Sequence, residues 1–503
     1  MKKIRLNCLA VLSFMMIKLS NRVIITLIVW LTIGFGLVAC QSDEATPTPE
    51  PLATLLDQAR DLADDQQYNE AVAVLEAAAE NYPTAAGPLI QAGQIYLRQQ
   101  QLLPAEDAFN RALARDLENP LATAGLAETI LRQGNTLQAL SLWKEAATLD
   151  PELPGIYSGL GRVYLARLEF DEAEEAFSEQ LTHQADAEAT WYLAALSAPV
   201  DEEAARAYLA ELPTDMPDHL AAQYDYLTAT LDTAENGSPD ERAQAIGIAM
   251  VQIEAWPLAI YALQIAADDD TASDAAKSET LAFLGHALAQ YGRPALDMFR
   301  QAEVLDGSSA LPAYFQGIYL RQQKAFGVAE DMLLRAANLD ENNPAPFVEL
   351  AKLKTEQGFL SDAEAYYMKA VEVAPEDIDL QLLQANFYAG RSYRLEEAGI
   401  PLAEALVGID EDNAEALDLL GWMQFLTGHL EDAESNLSRA VELDPQFMRA
   451  RFHLARFFEA QGQLTDAYKA YQAITEQDLT GNYRAAAWEG IYRIEGQLDE
   501  AEK

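Results

Sequence analysis

Residues Ala414–Pro445 read AEALDLLGWMQFLTGHLEDAESNLSRAVELDP, and the spacing of their small and apolar side chains decides the fold. Leu417, Gly421 and Gln424 fall at i, i+4 and i+7, which places them on one stripe of a helix. Gly428 ends that helix. A second helix contains Asp432 and carries Ala433, Leu437 and Ala440 as its apolar stripe. Pro445 stops it, because proline lacks an amide hydrogen and its ring clashes with the preceding turn. Two helices in a hairpin approach closely only where no large side chain intervenes, which explains the small residues at 421 and 433.

The same grammar runs along the chain. An alanine equivalent to Ala433 occurs at Ala71, Ala105, Ala139 and Ala173, and after a gap at Ala259, Ala295, Ala329, Ala363, Ala398, Ala467 and Ala501. Most spacings are 34 residues, whereas Ala173 and Ala259 stand 86 apart. Units begin near Leu52, Ala86, Pro120, Pro154, Asp240, Ser278, Ala310, Pro344, Ile378, Ala414, Met448 and Asn482. Gly93, Gly161, Gly247, Gly285, Gly317 and Gly421 recur at the eighth position, where the second helix crosses the first. Phe109, Trp143, Phe177, Phe299, Tyr367 and Tyr471 fill the gap to the next unit and read as core, not as a cofactor box.

This pattern resembles the tetratricopeptide repeat, a helix-turn-helix unit of 34 residues. The resemblance covers nearly all of residues 52–503. It implies an all-α fold, an α-solenoid wound as a right-handed superhelix, with the first helices lining a concave face and each unit leaning on its neighbours. The terminal proline is replaced by Leu117, by Asp270-Thr271 and by Asp306-Gly307 in three units. The expected organisation is a repeat block over 52–187, an irregular helical segment over 188–239 and a second block over 240–503. Within the irregular segment, helices are expected near Trp191 and Ala195, over Asp201–Leu212 and over His219–Leu231, with Asn236-Gly237-Ser238-Pro239 as a loop. Asp499, Glu500, Glu502 and Lys503 fall early in a second helix of the last unit, a polar half-unit that caps the array or meets a partner.

Composition narrows the partners. Half of the 503 residues are hydrophobic, so the chain can bury a core. Its net charge is −46. Lys2, Lys3, Arg5, Lys18 and Arg22 are the only charges before Cys40, and without them 29 basic residues face 80 acidic ones, a net of −51. Nucleic acid requires a basic footprint and is a poor partner. The acidity keeps a solvated surface soluble. The two cysteines, Cys8 and Cys40, offer no internal disulfide to a chain that has lost its first segment, and no metal site.

Residues 1–39 carry a basic start and an uncharged apolar run from Val23 to Ala39, the pattern of a signal peptide; Met15 and Met16 are alternative starts. A transmembrane anchor is the competing reading, since 17 apolar residues sit at the short end of a membrane span. Leu37-Val38-Ala39-Cys40 resembles the lipobox of bacterial lipoproteins. That resemblance implies cleavage before Cys40, acylation of its sulfur and new amino group, and a lipid anchor outside the cytoplasm. Gln41 follows the cysteine, so no inner-membrane retention signal of the proteobacterial kind is present. The polar, proline-rich residues from Cys40 to Pro51 read as an extended linker.

A first helix presents unit positions 2, 5, 9 and 12 to the groove, again at helical spacing. These positions hold Arg162, Tyr314, Arg321, Lys352, Asn386, Trp422, Phe425, Arg449, Phe452 and Arg456. Trp422, Phe425 and Phe452 with Arg449 and Arg456 form the most binding-like set, because aromatic residues and arginine dominate interface hot spots. The arginines paired to neighbouring glutamates, with the aromatics partly buried, are an equally open reading. The paired Lys and Asn of the carboxylate clamp used by some tetratricopeptide proteins are not found here. The five histidines are scattered without metal-type spacing, with His429 and His453 in surface roles, and no nucleophile elbow, phosphate loop or zinc helix occurs. The expectation is a non-enzymatic scaffold with no cofactor and no metal, binding proteins or peptides in its groove. Family members of this build assist outer-membrane protein insertion, pilus assembly, polysaccharide export or secretion, and the resemblance selects none of these. The alternative is an envelope enzyme or sugar-binding protein with its site in residues 188–239.

Overall fold

The computed structural model describes residues 50–213, 218–234, 237–268, 272–478 and 481–501; Cys40, the apolar run before it and the start of the linker lie outside them. The described residues form twenty-six α-helices and one π-helical turn. They divide into two compact units, ending and beginning at Pro83 and Thr84. The first is a single hairpin, Leu52–Asp64 against Tyr68–Asn81, closed by Tyr82, whose hydroxyl donates to the Glu50 carbonyl at 2.7 Å.

The second unit repeats that hairpin, and most helices adjacent in sequence pack together. Gly87–Arg98 pairs with Leu102–Arg115, Ala345–Gln357 with Leu360–Val373, Ala414–Thr427 with Leu430–Leu443 and Met448–Ala460 with Leu464–Gln477. The architecture is an all-α solenoid of tetratricopeptide type. Six of its crossings set one glycine against one large side chain. A Cβ on Gly421 would stand 2.9 Å from Leu437 Cγ, and one on Gly93 would stand 2.7 Å from Phe109 Cζ. Phe109 also lies against Gly125 of the next unit, so the ring wedges the two units together.

The hairpins of the units from Leu52 to Pro154 and from Asp240 to Met448 each turn on one residue in the left-handed region at the fifteenth unit position. Glycine fills it at 134, 292, 358, 428 and 462, but Gln66, Gln100, Leu168, Glu254, Lys324 and Ser392 adopt the same positive φ. The cap is of Schellman type: the His429 amide donates to the Gln424 carbonyl at 2.9 Å, and the Ala325 amide to Leu320 at 2.9 Å.

Three features differ from the sequence expectation. Ala398 is not the crossing residue of its unit. Gly399 is buried there, 2.6 Å separating its added Cβ from Met423 Sδ, and Ala403 and Leu406 complete the stripe. The unit is two residues longer than its neighbours, and the extra length is absorbed by left-handed Ser392 and Arg394 and the π-turn Leu395–Gly399. Secondly, Arg484–Ala501 is one helix of 18 residues. Gly496 stands where the turn would fall, yet the helix runs through it.

Thirdly, units touch across more than their neighbours. Ala187–Ser197 and Glu202–Glu211 form a hairpin with Ala205 at its crossing, and the unpaired helix Asp218–Ala234 packs on Pro239–Gln252. Ser238 caps that last helix through a reciprocal bond with Glu241. One core cluster runs unbroken from Leu165 to Phe315, and Trp191, Leu196, Leu227 and Leu231 are buried in it. Across the intervening helices, the Tyr291 hydroxyl donates to the Ala166 carbonyl at 2.5 Å and Phe170 meets Tyr261 at 4.7 Å.

Candidate functional site

Most of the expected groove residues gather at three centres, two of them organised by the buried carboxylates of Asp418 and Glu349. Asp418, fully buried on the helix Ala414–Thr427, accepts from Arg449 Nε at 2.7 Å and faces His453 Nδ1 at 2.7 Å. Arg449 also donates to Glu415 at 3.1 Å and lies over the Phe447 ring at 4.9 Å. Burial opposes the Arg449 charge, but the Asp418 and Glu415 carboxylates overcome it and raise its pKa above the usual range. The His453 ring stacks on Trp422 at 4.2 Å and 10°, and Phe425 meets Trp422 at 5.3 Å. Half-buried Trp422 is thus held by a chain of contacts that begins at Asp418.

Phe452 and Arg456 stand beside this cluster but engage elsewhere. Phe452 packs on Tyr471 at 6.0 Å and Tyr483 at 5.5 Å, as an inter-unit wedge. Arg456 is exposed, 3.9 Å from a Glu459 oxygen, while Glu459 already accepts from Arg493 at 2.8 and 3.0 Å and from Tyr471 at 2.7 Å.

The second cluster surrounds Glu349, which is 6% exposed. Arg321 Nη2 lies 2.9 Å from it, Lys352 Nζ donates to it at 2.7 Å, and Arg321 also bonds Glu356. Burial, reinforced by the Glu349 charge, pushes the Tyr314 hydroxyl up to about 12. A third centre has the same form: Arg162 joins Glu128 at 2.8 Å to Glu188 at 2.5 Å. Burial alone would raise the Glu128 pKa, but the charges and hydrogen bonds of Arg162 and Arg132 together bring it below the usual range. Asn386 is exposed and stands apart from all three.

The groove arginines are therefore paired, as one of the two open readings held, and Arg456 is the loosest. Reading positions 2, 5, 9 and 12 for aromatic and basic side chains passed over Asp418, Glu128 and His286, which occupy the same positions. His453 lies one step off them. It is no surface residue: it is 13% exposed and bonded to a buried carboxylate. His286 is stacked on Phe315 at 4.3 Å and meets Trp256 edge-on. Among the described residues no group of three or more histidine, cysteine or carboxylate side chains is placed to hold a metal ion.

The repeated hairpin and the small residues at its crossings define the class: a tetratricopeptide-type helical array. Tetratricopeptide-repeat family models match residues 90–154, 131–196 and 424–487. A stretch of 145 residues, 28% of this chain, is 26% identical to the cellulose synthase operon protein C of Pseudomonas fluorescens (strain SBW25), of which it spans 11%. Among solved structures, yeast Tom70 is similar at 13% identity over 89% of this chain and 96% of its own, with a TM-score of 0.41. The Cut9 and Hcn1 hetero-tetramer of the APC/C gives 14% identity, 90% and 91% coverage and a TM-score of 0.36. MamA of Desulfovibrio magneticus RS-1 gives 18% identity over 34% of this chain and 97% of its own, with a TM-score of 0.30.

Proposed function

We propose that the protein is a lipid-anchored scaffold of a bacterial cell envelope, held outside the cytoplasm through Cys40 and binding a partner protein or peptide in the groove of its second block. The observation that carries the reading is the preorganised Asp418–His453–Trp422 arrangement. A buried carboxylate fixes a histidine, which fixes an indole in a half-buried position on the groove-facing helix. Aromatic side chains locked before binding lose little entropy on complex formation. The resemblance of Leu37-Val38-Ala39-Cys40 to a lipobox supports the anchor. Most large apolar side chains of the segment 188–239, among them Trp191, Leu196, Leu227 and Leu231, are buried in the core.

Cross-linking in the native envelope, followed by capture with wild type and with the double variant Trp422→Ala, Arg456→Glu, tests the groove. The variant is expected to lose the cross-linked partner while keeping its helical circular dichroism signal. Undiminished capture by a folded variant would remove this patch as the site.

A further inference from the structure

The outward face of the helix Arg484–Ala501 departs from the burial found at the same place in most earlier units. Unit positions 7 and 11 of a first helix lie beneath the second helix of the same hairpin. They hold Ile246 and Met250 at 1% and 0% exposure, and Leu420 and Gln424 at 5% and 8%. In the last unit the same positions hold Trp488 and Tyr492, which are 45% and 66% exposed. Their rings lie side by side, 6.0 Å apart at 30°. No described residue covers them, because the helix continues where the others reverse.

Nor is the face shaped for a missing second helix. Position 8, where that helix would cross, is glycine or alanine in all eleven preceding units and Glu489 in this one. Glu489 and Glu495 are exposed and have no ion-pair partner among the described residues. The nearby cation, Arg493, is already spent on Glu459 at 2.8 and 3.0 Å. The helix itself is firmly seated. Ala487, Ile491 and Ile494 are buried on its inner side, with Gly490 against the Tyr471 ring. At its start the buried Asp478 carboxylate accepts from the amides of Gly481, Tyr483 and Arg484 at 3.1, 2.7 and 3.0 Å.

We propose that this face is a second docking surface, taking a Lys- or Arg-bearing segment of a partner protein. Two exposed rings flanked by unpaired carboxylates combine cation–π attraction with charge pairing, the chemistry that distinguishes an ammonium or guanidinium from other groups. A second copy of the chain would bring Glu489 and Glu495 against their like. Nucleic acid and anionic lipid are repelled by a net charge of −46. The surface is independent of the groove.

Fluorescence anisotropy of a labelled alternating Lys-Gly decapeptide, titrated with the full chain, provides the test. Trp488→Ala with Tyr492→Ala, and separately Glu489→Gln, are expected to weaken binding roughly tenfold. Glu434→Gln, on an exposed acidic position of another helix, and Trp422→Ala in the groove are expected to leave it unchanged. Amide exchange is expected to slow on peptide addition only within residues 484–497. Equal losses with Glu434→Gln would show diffuse attraction and overturn the proposal, as would unchanged binding by the aromatic variant. Self-association in sedimentation, or adhesion to phosphatidylcholine vesicles, that the aromatic variant abolishes would assign the face to a second copy or a membrane and overturn it too.

Discussion

His286 shows how little a residue's type says about its work. No histidine stands three or four residues from it, and the helix Asp274–Gln290 sets it between Trp256 and Phe315. Burial there pushes its imidazole down to about 4, and the Glu349 charge opposes this only in part. The unfolded chain takes up the proton near the usual value of about 6.5. Stability from the neutral ring is therefore complete above that pH and is lost as the pH falls toward 4. Between about pH 7 and about pH 5 the loss is on the order of 2 kcal/mol. His286→Phe keeps a stacking ring without the proton, so urea denaturation is expected to show a smaller fall over this interval. Identical falls in the two proteins would contradict the assignment. Asp418 teaches the same lesson. A carboxylate in a groove position looks like one more surface charge until Arg449 and His453, a full unit later, close around it.

At the scale of the element, the hairpins were legible because their period, their glycine crossings and their stop signals are local. The pivots were not. Only where glycine fills the fifteenth position does the sequence announce a left-handed residue, and at Lys324, φ 59°, the turn forces the conformation on a side chain that disfavours it. Lys324 is exposed. Lys324→Gly is expected to raise stability by about 0.5–1 kcal/mol, and Gly358→Lys at the equivalent pivot to lower it by a similar amount. A denaturation midpoint that moves the other way in either variant would refute the pivot. The π-turn at Leu395–Gly399 was hidden for a related reason. Ala398 keeps a plausible rhythm in one dimension, and only packing shows that Gly399, with Met423 and Tyr388 pressed against it, is the residue at the crossing.

For the molecule as a whole, repetition encourages a picture of units that meet only their neighbours, and residues 154–317 depart from it. The unpaired helix Asp218–Ala234 interrupts the series of hairpins, and the Tyr291–Ala166 bond joins residues 125 positions apart. Stability there cannot be a sum over adjacent pairs. The proposed attachment to a membrane belongs to this scale as well. One acyl chain holds marginally at about 0.8 kcal/mol per buried methylene, and two or more hold stably. Cys40→Ser is expected to abolish acyl labelling, leave the precursor uncleaved and release the protein from the membrane fraction; a labelled band of unchanged strength would defeat the anchor.

The sequence by itself determined the all-α class, the repeat and the residues available to the groove, because period and side-chain size act within one hairpin of chain. Tertiary structure decided which of those residues are already engaged, which helix face stays uncovered, and where the rhythm of 34 is broken without a visible sign. Ion pairs such as Arg449–Asp418, and exposure such as that of Trp488 and Tyr492, depend on what lies a unit away in space. Burial and neighbouring charge are fixed only when the units stack.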